Sequence, residues 1–248
     1  MTGKTVRHVP SKRVAILQSN YIPWRGYFDI IGLVDEFIVY DDTQFTKNDW
    51  RNRNRIKTRE GLKWLTVPVG IDIKRKIFEV DISDTRWQLR HWETLHHSYC
   101  KANFYTEISS IIAPVYLEMQ HTNLSTLNLE IIKTICKFLE IETKITDSRN
   151  YKIEDGKTNR LVHLCRQSNA DAYLSGPSAK SYIHEDQFNK NNIAIHWMDY
   201  SEYPSYQQLW GNFEPQVSIL DLLFNAGKSS RNFMKFSAHK SCKDSYWR

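Results

Sequence analysis

The chain has only four cysteines, Cys100, Cys136, Cys165 and Cys242, and no two of them form a C-x-x-C pair. That spacing excludes the usual zinc cage and the dithiol redox motif. Cys136 and Cys165 fall within apolar helical patterns and are expected to be buried thiols. Long apolar runs are also missing, and no stretch approaches the length of a membrane span. The segment Met1 to Arg13 is basic and polar and lacks an apolar core of signal-peptide type. A cytoplasmic, reduced protein is therefore expected. Internal repeats and low-complexity segments are absent, as are blocks of like charge. The net charge of +6 is spread along the chain, and its basic cluster, Arg51 to Arg59, is interleaved with Asn and Thr. That pattern does not read as a nucleic-acid arm and favours a phosphate- or carboxylate-bearing small ligand. The histidines lack zinc spacing: His96 and His97 are adjacent and point apart, and no acidic residue completes a set with His91. No metal site is expected. The chain also lacks a P-loop, a G-x-S-x-G elbow and a D-x-D pair.

What remains is an ordinary globular composition. Of 248 residues, 41% are hydrophobic and 25% charged, enough to bury a substantial core. Aromatic residues reach 13%, and their flat faces with polar tips suit sugars and nucleobases as well as packing. Val14 to Leu17 predicts a buried strand, Tyr27 to Val34 a helix started by Pro23, and Glu36 to Tyr40 a second strand. Strand, loop, short helix, strand is the opening of a parallel α/β sheet. Strands are further predicted at 64–69, 77–82, 144–146, 172–176 and 193–198. Helices are predicted at 85–102, 104–119, 124–139 and 158–168, with a late helix through Asp221 to Phe224 closed by Gly227. The expected organisation is a flexible leader over 1–12 and one α/β domain over 13–230. Residues 84–140 would form a mainly helical insertion or cap, and 231–248 a loose basic tail.

Four clusters could carry chemistry. The first, Gln18 to Tyr27, sits at the carboxyl end of the first strand and runs into a helix start, where open parallel sheets bind ligands. Gln18, Asn20, Tyr21 and Trp24 are its polar and aromatic groups, and Gly26 would admit a close backbone approach. A turn around a buried Trp24 would use the same residues. The second is Asp41-Asp42-Thr43-Gln44, two carboxylates at a strand end that could hold Mg²⁺, grip a ribose or act as a base, or simply form a turn and helix cap. The third is Arg51-Asn52-Arg53-Asn54-Arg55-Ile56-Lys57. In an extended chain its arginines share one side and its asparagines the other, and guanidinium forks grip phosphates. A solvated basic loop is the alternative. The fourth runs from Tyr173 to Tyr182, where Ser175 and Gly176 end a strand and offer a hydroxyl and bare backbone N–H groups. An ordinary turn fits this segment equally.

Together these segments resemble the WbqC-like protein family. The resemblance is carried by Ala15 to Phe28 with its Pro23-Trp24-Arg25-Gly26, by Tyr40 to Phe45 and by Trp50 to Lys57. Trp64 to Val69, Tyr173 to Gly176 and Leu222 to Gly227 add to it. It spans about Val14 to Gly227. Members occur in bacteria, often beside genes for O-antigen and other surface polysaccharides. Many have His where this chain has Gln18 and Pro where it has Ser19, so a histidine of that loop cannot act here. The opening is also similar to Rossmann-like nucleotidyltransferases, but the His-x-Gly-His signature of that group is absent. The resemblance implies a setting in surface-polysaccharide synthesis but no defined chemistry; with the Rossmann-like sheet and anion-friendly loop read above, it leads to the expectation of a transferase that acylates or aminoacylates the amine of a nucleotide-linked amino sugar. Its donor would be an acyl-CoA or acyl-carrier-protein thioester, with ATP and magnesium less favoured. Asp41 or Asp42 would take the amine proton beside Gln18. Asn20, Tyr21, Trp24, Gly26, Gln44, Arg51, Asn52, Arg53, Asn54, Lys57, Ser175, Gly176 and Tyr182 would bind substrate. The alternatives are a nucleotidyl- or adenylate-forming transferase, a glycosyltransferase, or a non-catalytic sugar-nucleotide-binding or scaffold protein. Exposed aromatics would allow a homodimer.

Overall fold

The computed structural model describes residues 12–238 apart from Ile153. Five short strands form one parallel sheet, the central three buried and the two edge strands half-buried: β1 (Arg13–Leu17), β2 (Glu36–Val39), β5 (Lys144–Asp147), β6 (Ala172–Ser175) and β7 (Ala194–Trp197). Their order is β5-β2-β1-β6-β7. The chain winds outward from β1 through β2 to β5, then restarts beside β1 and winds the other way through β6 to β7. The switch point therefore lies between β1 and β6.

Side chains alternate across each strand, so each face acquires its own core. Ala15, Phe37, Val39 and Leu174 pack on one side with α1 (Arg25–Leu33), α2 (Trp87–Tyr99), α3 (Tyr105–Leu117), α4 (Leu124–Phe138) and α7 (Ile219–Ala226). Val14, Ile16, Ile38 and Tyr173 pack on the other with α5 (Lys157–Gln167) and α6 (Glu185–Asn189). Burial on both faces is why these strands read as apolar runs. The protein is thus α/β with a Rossmann-like parallel sheet. The hairpin β3 (Arg53–Thr58) and β4 (Gly61–Thr66) stands apart from the sheet, and α2 to α4 follow it in the chain before β5.

Several elements differ from expectation for identifiable reasons. The strand predicted at 77–82 is a 3-10 turn, Ile77–Glu79, with only a single bridge from Asp81 to Asn123. Backbone bonds from Ile77 to Thr43 and from Phe78 to Asp41 tie it over the end of β2. Thr158 is not the cap of α5; Gly156 is, and Thr158 is buried in the first turn. Residues 231–238, expected to be loose, are packed. Met234 and Phe236 are buried, and α8 (Lys235–Ala238) seats Phe236 against Gly32, where an added Cβ would lie 2.6 Å from the ring. Residues 1–11 of the expected leader and 239–248 of the tail lie outside the described residues. Lys12 is anchored, its ammonium 2.7 Å from Glu36.

Candidate functional site

A cavity of about 550 Å³ opens at the carboxyl ends of β1 and β6, at the switch point. The end of β1 supplies Gln18 and Asn20. The end of β2 supplies Tyr40 and Thr43, and β6 supplies Ser175 and Gly176. Tyr182 closes one side, and the start of α5 brings Gly156, Lys157 and Arg160. No side chain caps the start of α5, so its N–H groups and the positive end of its dipole favour an anion. The helix start on this wall is that of α5, not that of α1. Arg25 in α1 turns instead to the carbonyls of Pro204 and Phe233.

Two guanidiniums are built into the wall. Arg51 donates to Asn20 Oδ1 at 3.0 Å and to Gln18 Oε1, while Gln18 Nε2 donates to Thr43 at 2.7 Å. Arg160 donates to Asp42 Oδ2 at 2.5 Å and lies 5.3 Å from the centre of the Tyr40 ring. Both arginines keep a buried Nε–H with no protein partner among the described residues. Arg53 and Arg55 on the hairpin share that feature, so what sets Arg51 and Arg160 apart is their place in the cavity wall. Desolvation pushes the Tyr40 phenol up to about 12 despite the adjacent Arg160, so it remains a hydrogen-bond donor at neutral pH.

The two aspartates hold the scaffold in place. Asp41 is fully buried and accepts the Ser19 N–H at 2.7 Å and the Ser125 hydroxyl at 2.5 Å. Burial raises its pKa, the Ser125 and Ser19 bonds opposing. With its oxygens so engaged and no access to the cavity, it cannot serve as the base expected of it. Asp42 accepts Ser148 and Arg160 and so fixes Arg160, and it lines an outer cavity that shares Thr43 and Arg160 with this one. Among the described residues, the lining of this cavity contains no carboxylate and no histidine.

Of the other expected ligand residues, Gln18, Asn20, Arg51, Ser175, Gly176 and Tyr182 come together here. Trp24 and Asn54 line a neighbouring cavity, and Gln44 an outer basic one with Lys74 and Lys76. The rest are structural. Tyr21 is fully buried, its hydroxyl 2.8 Å from His91 Nδ1 and 2.7 Å from that of Tyr116. Asn52 donates to the Val67 carbonyl, and Lys57 is buried against Gln208 and the Asn212 carbonyl. Gly26 makes room for Trp24 rather than for a ligand, since a Cβ there would meet that ring at 2.4 Å. Arg53 stacks over Trp64 at 4.2 Å, on the hairpin. The Arg–Asn alternation does hold along β3, with Asn54 buried and Arg53 and Arg55 half-buried; Arg51 precedes the strand and turns to the cavity alone.

Arg160 and Lys157 were missed by sequence reasoning. Their signal is a glycine followed by basic residues three apart at a helix start, which places both on one side of the first turn.

A parallel sheet with a cationic cavity at its switch point defines a Rossmann-like α/β protein. Residues 18–233 match the WbqC-like protein family, and the chain belongs to it. It is 53% identical over 227 residues to the uncharacterized protein Rv1507c of Mycobacterium tuberculosis, a match covering 91% of this chain and 98% of that protein. No solved structure matches the chain. Among the described residues no helix is long and apolar enough to cross a membrane, and no group of three His, Cys, Asp or Glu could hold a metal.

Proposed function

We propose that the protein is a transferase whose switch-point cavity holds the diphosphate of a nucleotide-linked amino sugar. The reading rests on one observation: Arg51 and Arg160 share the cavity with the uncapped start of α5. Guanidinium forks and helix N–H groups are the protein's strongest phosphate ligands. Acyl transfer from a thioester to the sugar amine suits a wall without carboxylate or histidine. The new C–N bond forms as the C–S bond breaks, and the thiolate can take up the amine proton through solvent. The wall then supplies position and hydroxyl donors such as Tyr40, Thr43 and Ser175.

The test is calorimetric binding of dTDP- and UDP-amino sugars, followed by mass spectrometry of the sugar after incubation with acyl-CoA. Replacing Arg160 with alanine should weaken binding by about 10- to 100-fold, the value of a charge-assisted contact. A protein that binds no phosphate-bearing ligand would end this reading. Tight binding with no mass change would leave a sugar-nucleotide-binding role.

A further inference from the structure

We infer that a second cavity receives the uracil or thymine ring of the nucleotide whose phosphates occupy the first, an inference that rests on the function proposed above. This cavity, about 340 Å³, is walled by Pro23, Trp24, Trp50, Pro215 and Val217. It meets the first at Asn20, which lines both, and Arg51 on the far side holds Asn20 in place. A single ligand can therefore lay its anionic half against Arg51 and Arg160 and its flat half against the tryptophans.

The hydrogen-bonding groups specify what that flat half carries. The side-chain amide oxygens around the cavity, and the Pro23 and Trp50 carbonyls, each already accept one hydrogen bond. Asn20 Oδ1 accepts Arg51 at 3.0 Å, Asn54 Oδ1 the Arg55 N–H at 2.8 Å, and Gln216 Oε1 Arg55 Nη2 at 2.7 Å. The Pro23 carbonyl accepts Ile219 N–H and the Trp50 carbonyl Tyr21 N–H, each at 2.9 Å. Donors are left over: Asn20 Nδ2 and Gln216 Nε2 have no partner among the described residues. A ring with carbonyl acceptors on its edge matches that wall. Uracil and thymine present two such carbonyls on either side of one N3–H, whereas cytosine and guanine have one carbonyl each and adenine has none.

The backbone between the two cavities carries strain. Ile22, a β-branched residue, has φ of 37°, in the left-handed region that such residues avoid. Asn54 Nδ2 pins it by donating to the Tyr21 and Ile22 carbonyls at 3.2 and 2.9 Å. Strain of this kind persists where the surroundings over-determine it, commonly at ligand clamps.

Calorimetry with UDP, dTDP, CDP, ADP and inorganic pyrophosphate tests the inference on wild type, Trp50→Ala and Gln216→Ala. Trp50 is 42% exposed, so its loss leaves the core intact. UDP and dTDP should bind about tenfold or more tighter than pyrophosphate, CDP or ADP, and Trp50→Ala should remove about tenfold from UDP, as expected for one stacked base. Gln216→Ala should narrow the gap between UDP and CDP. Pyrophosphate should bind both variants as it binds wild type, which also reports that they are folded. Equal affinity for UDP and pyrophosphate, or UDP binding unchanged in Trp50→Ala, would overturn the base site and leave the phosphate reading standing. Failure of every ligand, pyrophosphate included, would overturn both.

Discussion

Asp41 and Arg160 separate structural from ligand-facing polarity. Asp41→Asn should cost about 1–3 kcal/mol in urea unfolding, because a buried acceptor loses its fit to Ser19 and Ser125, while pyrophosphate affinity stays within about twofold. Arg160→Ala should instead bring a large loss of affinity together with a loss of stability, because it leaves the buried Asp42 carboxylate without its cation. His91 offers a test by pH. Its imidazole, buried beside Tyr21 and Trp87, is held down to about 4 by desolvation. Below pH 6.5 the unfolded chain takes up a proton that the fold refuses, so stability is lost as pH falls from 6.5 to about 4. The loss approaches about 3 kcal/mol. Asp29 has the opposite sign. Burial pushes its carboxyl up to about 6 against the Tyr203 and Phe236 bonds, so the fold binds its proton first and gains stability between about pH 6 and 4. The two terms offset in wild type. The melting temperature of His91→Gln relative to wild type should therefore rise steadily from pH 6.5 to 4; a constant difference would rule out a neutral buried His91.

Among the elements, α4 and α7 depend on their ends. Asn123 caps α4 by accepting the Thr126 N–H, and its amide donates to the Phe78 and Val80 carbonyls. One side chain thus starts the helix and ties the 3-10 turn to it. Asn123→Ala should lower stability by about 1–2 kcal/mol, measured by denaturant midpoint at constant slope. Gly227 closes α7 with φ of 53°, and a Cβ there would lie 2.3 Å from the Phe104 ring. Gly227→Ala meets both backbone strain and a clash, so it should destabilise by more than the roughly 1 kcal/mol usual for a left-handed cap. A thermal melt within error of wild type would mean that Phe104 moves freely.

At the scale of the whole molecule, the chain's last described helix closes a face begun by its first. Phe236 covers Gly32 of α1, and its N–H donates to Asp29 at 2.8 Å. Phe236→Ala should cost about 3–5 kcal/mol as a buried aromatic cavity, read by chemical denaturation. A surface-like cost under about 0.5 kcal/mol would mean that this segment is dispensable. Contacts of this range are invisible to a local reading, which is why a polar, basic stretch reads as a loose tail. Asp41 and Asp42 show the same limit: a carboxylate pair at a strand end looks chemical until Ser125, Ser148 and Arg160 arrive from distant segments.

Local pattern alone determined much of this protein. Apolar runs of strand length and three-four helical spacing specified a parallel α/β sheet and where most helices lie, because burial of side chains imposes those periods directly. The polar loop after β1 was legible as a site because strand ends in such sheets converge there. The tertiary structure decided which polar groups face the cavity. Arg51 and Arg160 stand more than a hundred residues apart, and only the return of α5 to the switch point brings them to one wall. Tyr21, Asn52 and Lys57 are of the same chemical types as true ligand residues, yet they are spent on buried hydrogen bonds. Residue type states what a group can bind. Burial and partners, which arise from contacts distant in sequence, determine whether it is free to do so.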